Sequence, residues 1–434
     1  MKGAPVFFIA SRLIAGRNDA SGGRDQARRA LRGAVLAIGL SLVPLLTVMQ
    51  VADGMVQGIS ARYVELGTYH AQAHAYSDTE PLADARDRLA ATPGVTGAWI
   101  ESQSVGVAFT SGAREGAAIR AVEQGFLDDP GTTAYFELEN GDLALERAND
   151  ALVGSALAAK LGIKSGDSFN LITVRRSASG EPLPKVSILR VRGVVSAGYR
   201  ELDSQWLFIR QADAARVLPR ESTRSFVGIK SADPFGEPEQ ARLLAESALQ
   251  QGYTVYSWKR LERNLFESLA STRTMLLLIM AVTVAVAAVN VSSALSTLVM
   301  ERRQEIAVLK SLGARPSDLA RTFSLGGAFL GAAGAVLGSA FGLLAATRIN
   351  EILRVLEWLS NAARRLVALL TGSPAPAYAP LLDPEYYLQA IPITLRFADV
   401  AGVVILTVGL SFAASFLPAR KAARLDPMDA LRRR

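Results

Sequence analysis

"MERRQEIAVLKSLGARPSDLAR", Met300 to Arg321, places five basic and three acidic residues between two stretches, 274–300 and 322–347, that carry no charge at all. A short amphipathic helix is predicted over 301–312. Ile306, Leu309 and Leu312 can share one side of it, with Glu305 and Lys310 elsewhere. Gly313 suits the C-terminal cap, and Pro316 the first turn of a following helix. Such a helix has an apolar side for anchoring and a charged side for a partner. An ordinary tight loop carrying positive charge is the plainer alternative.

The flanking blocks set the fold class. The chain has 434 residues and is 50% hydrophobic. Its apolar residues gather at 33–52, 274–300, 322–347 and 400–418. At about 1.5 Å per residue each can cross, or nearly cross, a ~30 Å hydrocarbon core. The first block follows a 32-residue arm and is expected to stay as a signal anchor rather than be cleaved. The net charge of +7 is crowded at block ends (Arg24, Arg28, Arg29 and Arg32 before the first; Arg420, Lys421, Arg424 and Arg432 to Arg434 after the last). That pattern reads as membrane topology and excludes nucleic acid as the expected partner. With the bases of the 301–321 loop, it puts both termini and that loop in the cytoplasm of a multi-pass inner-membrane protein. Residues 53–273 and 348–399 then face outward.

The expected organisation is a cytoplasmic arm 1–32, a first span 33–58, an outward α+β domain 59–272, a second span 273–300 and the 301–321 loop. A third span 322–347, an outward loop 348–399, a fourth span 400–418 and a tail 419–434 follow. The fold class is therefore four transmembrane helices with a large α+β domain inserted between the first two. In the third span Gly327, Gly331, Gly334, Gly338 and Gly342 make a small-residue face for close helix approach, within the chain in preference to between subunits. Pro44 is expected to kink the first span. Residues 349–370 are amphipathic and either extend the third span or lie in the interface.

In the outward domain, "GVTGAWI", "VGVAFT", "AAIRAV", "VSILRVRGVVS", "QWLFI" and "SFVGIK" read as strands. Helices are expected at 82–91, 151–161, 211–218 and 237–251. No cysteine is present, which excludes disulfides, thiolate metal sites and Cys nucleophiles. His70 and His74 fall in a strand-like run and are too few for a metal site. "GIKSGDS" lacks the order of a phosphate loop, and no catalytic constellation is legible, so the chain is not expected to be an enzyme. "RRSASGEPLPKVS", Arg175 to Ser187, reads as a long protruding loop between strands, stiffened by prolines. Such a loop is a candidate for binding a partner or a passive surface feature.

"MERRQEIAVLKSLGARPSDLARTF" resembles the coupling segment of the FtsX-like/MacB-like ABC transporter permeases. The ending "FLPARKAARLDPMDALR" resembles that family's last span and tail. "LDPEYYLQAIPI" and "FIASRLIAGR" point to the lipoprotein-releasing LolC/LolE group. The resemblance implies a type VII permease with no cofactor of its own. ATP and Mg would sit in a separate dimeric ABC ATPase gripping Glu301, Arg303, Glu305, Leu309, Lys310, Leu312 and Gly313. A second permease copy or paralogue would complete the membrane part. It further implies lipoprotein cargo extracted from the membrane and handed to a periplasmic carrier. That carrier would dock on Arg176, Gly180, Glu181, Pro182, Leu183, Pro184 and Lys185. Leu46, Met49, Met55, Leu276 and Ile279 are the expected lining of a lipid cavity, with packing inside the chain as the alternative. The rival functions are a MacB-like efflux permease and an FtsX-like regulator of cell-wall hydrolases.

Overall fold

The computed structural model describes residues 24–76, 81–176, 181–249, 252–301, 303–371 and 396–424. The "FIASRLIAGR" and "LDPEYYLQAIPI" stretches, most of the N-terminal arm and the last ten residues lie outside them. Two compact units divide the described residues. One falls within 1–54, 270–356 and 392–434, the other within 55–269 and 357–391.

The first unit is helical. Helices α1 (Arg24–Arg62), α5 (Arg263–Glu301), α7 (Pro316–Thr347) and α9 (Phe397–Ala414) contain the four spans. Between and after them come α6 (Arg303–Ser311), α8 (Ile349–Thr371), which passes into the other unit at Glu357, and α10 (Phe416–Arg424). Helix α1 runs unbroken through Pro44. Helices α1 and α5 have 39 residues each, about 58 Å of helix against a ~30 Å core, so each projects well past one membrane face. Helix α8 is separate from α7: Arg348 leaves helical geometry between them.

Leu42 and Leu46 of α1, Val291 and Leu295 of α5, Leu330 of α7 and Val403 of α9 form the shared core. The glycine face of α7 is filled within the chain. A Cβ at Gly334 would stand 2.7 Å from that of Ile38, one at Gly338 2.7 Å from that of Leu42, and one at Gly342 3.0 Å from that of Leu46. Gly327 and Gly331 take Ser415 and Ser411 in the same way. Where hydrocarbon surrounds the helices, such close backbone approach supplies the attraction that water would supply elsewhere.

The second unit is an α+β head of ten strands. These are β1 (Ala71–Ala75), β2 (Val95–Phe109), β3 (Arg114–Val122), β4 (Glu137–Gly141), β5 (Asp150–Gly154), β6 (Ser168–Arg176), β7 (Pro182–Ser196), β8 (Trp206–Arg210), β9 (Arg224–Ser231) and β10 (Tyr253–Ser257). Helices α2 (Leu82–Ala90), α3 (Ser155–Leu161) and α4 (Gln240–Ala248) pack on them. Strands β2, β3, β8, β5, β7 and β6 pair in a ring that returns to β2, a small closed barrel. Its filling includes Ile119, Val153, Phe169, Leu189 and Leu207. The other half of the long β2 pairs β9 and continues the sheet to β1 and β10, backed by α2 and α4.

Two expectations are corrected here. "GVTGAWI" and "VGVAFT" are one fifteen-residue strand rather than two, because β2 serves both the barrel and the open sheet. The helix expected at 151–161 begins only at Ser155. "DALVG" is a fully buried strand, in which a continuous apolar run replaces alternation.

Candidate functional site

Three surfaces and one joint carry the chemistry. The first is the segment around α6. Gly313 adopts φ +93°, its N–H bonds the Lys310 carbonyl at 3.0 Å and the Ala314 N–H bonds that of Leu309 at 3.0 Å, a left-handed cap that only glycine forms without strain. Pro316 then opens α7. Ile306 and Ala307 are buried, with Leu319, Phe323, Ala419 and Ala422 in the same core, and the Lys310 ammonium donates to the Ala423 carbonyl at 3.1 Å. The segment is therefore seated on α7 and α10 rather than dangling. Leu309 is half-buried, but Leu312 is 79% exposed and does not belong to the anchoring side, because the helix ends at Ser311. Glu301, Gln304, Glu305, Val308 (48% exposed), Ser311 and Leu312 face outward, and Arg303 is intermediate. Val308 was not foreseen. Its spacing from Glu305 and Leu312, three and four residues, was the available signal.

The second surface is a β-hairpin. The expected loop 175–187 is mostly strand: β6 reaches Arg176, β7 starts at Pro182, and those two residues face each other in the ladder. Gly180 and the side chain of Arg176 lie outside the described parts. Glu181, Pro182, Leu183 and Pro184 are exposed and Lys185 is half-buried. Among the described residues, β7 up to Ile188 is paired only to β6, and a strand with one free edge accepts proline. In register, Val107 meets Ile172, which meets Val186, while Val174 meets Pro184. Together with Val105 and Ile188 they form one largely exposed apolar sheet face.

The third is the set of expected cavity residues. Leu46 and Met49 are buried in the four-helix core. Leu46 is the side chain against which Gly342 closes, so any cavity reaching it requires α1 to leave α7. Met55 and Leu276 are half-buried. Ile279 is exposed on α5 beside Met275, Leu278 and Val282, a face that only lipid, another subunit or cargo would cover.

The joint lies within the second unit, where the last turns of α1 run into the sheet. After Arg62, whose Nε donates to the Ala197 carbonyl at 2.6 Å, residues Tyr63–Thr68 form a π-helical turn. Tyr69 follows at φ 57°, a strained conformation for a bulky residue. It is held by packing: the Tyr69 ring lies over Gly228, where a Cβ would come within 2.5 Å, and against Trp99, Phe126 and Phe226. Its hydroxyl donates to Glu101 Oε2 at 2.6 Å. Burial, with the Glu101 carboxylate beside it, pushes that hydroxyl well above its ordinary pKa. Buried Arg120 makes a fork to Glu101 at 2.6 and 2.8 Å, bonds the Leu66 carbonyl, and stacks on Trp206 and Phe208. Lys230 Nζ bonds Glu65 Oε2 at 2.9 Å, Asp129 Oδ2 at 2.7 Å and Thr132 Oγ1 at 3.0 Å. His70 receives the Ser231 N–H on Nδ1 at 2.8 Å and so presents Nε2–H to Glu65 at 3.0 Å. His70 is thus a structural residue. Among the described residues no cluster of His, Cys, Asp and Glu could hold a metal.

Residues 277–427 match the FtsX-like permease C-terminal family. The chain is similar to a protein of Xylella fastidiosa named lipoprotein-releasing system transmembrane protein LolC. Identity is 27% over 407 residues, covering 92% of both chains. It is also similar to the corresponding LolE of Haemophilus influenzae, at 24% identity over 91% of this chain and 92% of that one. Among solved structures, the periplasmic region of MacB from Actinobacillus actinomycetemcomitans aligns with 45% of this chain and 91% of its own, at 13% identity and a TM-score of 0.30.

Proposed function

We propose that this chain, a permease of the FtsX-like ABC transporter class, extracts lipoproteins from the inner membrane and passes them to a periplasmic carrier. The observation that carries the reading is the end-to-end similarity to LolC and LolE proteins, head included. The physics fits the task. A triacylated cargo with roughly 45 methylenes at about 0.8 kcal/mol each costs tens of kcal/mol to lift from a bilayer, so the step needs an external energy source. In this reading a separate ABC ATPase dimer, holding ATP and Mg, grips α6 from the cytoplasm through Glu305, Val308 and Leu312. A second permease copy or paralogue faces the exposed side of α5. The long helices α1 and α5 carry the movement outward, and the cluster at Tyr69 fixes the last turns of α1 within the second unit. Cargo acyl chains run along the exposed α5 face at Ile279 and its neighbours, and the carrier docks on the hairpin.

Two measurements test this. In a reconstituted complex of permease and ATPase, Glu305→Lys is expected to reduce ATP-dependent lipoprotein release at least tenfold while leaving the fold intact. Normal release by that variant removes α6 from the coupling role. Val186→Asp, which puts a charge in the middle of the apolar hairpin face, is expected to abolish carrier capture in a pull-down and leave ATPase activity unchanged. Undiminished capture moves the docking site elsewhere.

A further inference from the structure

At one end of the four-span bundle, ionisable residues of three helices converge. Arg273 of α5 sits between two carboxylates. Its Nε is 3.1 Å from Asp53 Oδ1 of α1, and its Nη2 is 3.1 and 3.2 Å from the two oxygens of Asp399 of α9. Arg396 stands 3.9 Å from the same Asp399, and its backbone N–H donates to Gln50 Oε1 at 3.4 Å. Asp53 and Gln50 are buried, with the Asp53 side chain only 5% exposed. Two charges of each sign make the group neutral as a whole.

Two features make it more than a static tie. First, no residue of α5 before Met280 is buried. Above that point Arg273 ties this helix to Asp53 of α1 and to Asp399 of α9. Second, Gln50 Nε2, Asp53 Oδ2 and Arg273 Nε are buried with no hydrogen-bond partner among the described residues, so Arg273 meets Asp53 as a charge and only Asp399 by hydrogen bonds. An unmade bond on a buried polar atom is costly, so this arrangement is not the best these groups can make. The group is partly buried, Arg273 being 34% exposed, and such an ion pair adds little net stability because desolvation offsets its attraction, but it fixes one geometry. Apolar contacts slide, whereas a guanidinium bonded to one carboxylate and ion-paired with a second is either made or broken. That is the bistable element a switching bundle needs.

We propose that Arg273 is the bolt of a latch that closes the end of span two onto spans one and four, and that its withdrawal lets span two swing away and open the bundle sideways. The proposal deepens the permease reading by naming the contact that must break before cargo enters. It predicts that removing the bolt opens the bundle without any ATPase.

The chain has no cysteine, so spin labels can be placed cleanly at Leu277→Cys on α5 and Ile405→Cys on α9, both on exposed sites. The full chain in lipid nanodiscs is measured by pulsed electron resonance. Wild type is expected to give one narrow distance distribution. Arg273→Gln is expected to shift it to longer distances by several ångströms or to add a longer population, and Arg273→Lys to lie between. Because Arg273→Gln strands Asp53, the double variant Arg273→Gln with Asp53→Asn repeats the test without a lone buried charge. A wild-type distribution in the double variant overturns the latch. Lipoprotein release by the wild-type complex is assayed separately. Failure there defeats the functional reading and leaves the distance result standing.

Discussion

Lys230→Met is expected to destabilise the head by about 3–5 kcal/mol, the usual cost of stripping one partner from a buried charge group. Lys230 is 2% exposed and is the cation shared by Glu65 and Asp129. A methionine fills the same volume but leaves two carboxylates, each nearly buried, beside an apolar side chain. Of the two, Asp129 keeps bonds from the Thr132 N–H and hydroxyl, and Glu65 keeps His70. The loss is therefore partial for each and is felt most at the π-helical turn. Chemical denaturation of the full-length protein, followed by tryptophan emission from Trp99 and Trp206 near the joint, measures it. Adding Glu65→Gln to Lys230→Met should recover part of the loss, since it removes one of the stranded charges. No recovery would mean that the three groups do not act together. Under the transport reading the same variant should also hydrolyse ATP with poor release, because a loosened joint absorbs the stroke.

The membrane half of this architecture is legible in composition because hydrocarbon imposes a simple rule: long uncharged runs, with bases at their cytoplasmic ends. The cap at Gly313 and the helix start at Pro316 are equally local and could be read directly. What could not be read are pairings across sequence distance. Lys230 reaches back to Asp129 and Glu65, and Arg273 reaches both Asp53 and Asp399. In a linear reading each is one charged residue among many. Local patterns also misled where context overrode them. "ALVG" carries no alternation because both faces of β5 are covered. Pro182 and Pro184 suggested a loop, yet a strand with a free edge holds them. Leu312 fitted the apolar side of α6 by period alone, and falls outside it because the helix stops one residue earlier. The exposed valines of the hairpin became visible as a surface only once the register placed β2, β6 and β7 side by side.

Gly338→Leu is expected to cost about 1–3 kcal/mol through overpacking, and more if α1 must separate from α7 altogether. A Cβ there would already stand 2.7 Å from the Leu42 Cβ and 2.9 Å from the Gly39 carbonyl oxygen, and the contact is backbone against backbone, which cannot rotate away. Gly409→Leu on α9 is the matched control, since a Cβ there meets nothing within 4 Å. The two substitutions add the same hydrophobic group to the same kind of helix. A general effect of leucine on insertion would therefore move both, and a packing effect only the first. Thermal unfolding of the detergent-solubilised protein is expected to show a marked loss for Gly338→Leu and little change for Gly409→Leu. Equal behaviour would imply that α1 and α7 are not held together through this face. In that case the glycines would be free to serve contacts with a second subunit. Under the transport reading the distinction matters because α1 carries both the glycine contact at Leu42 and, further along, the latch residue Asp53. A helix fixed at one end by close packing and at the other by a breakable ion pair can pivot, whereas one loose at both ends cannot transmit a directed movement.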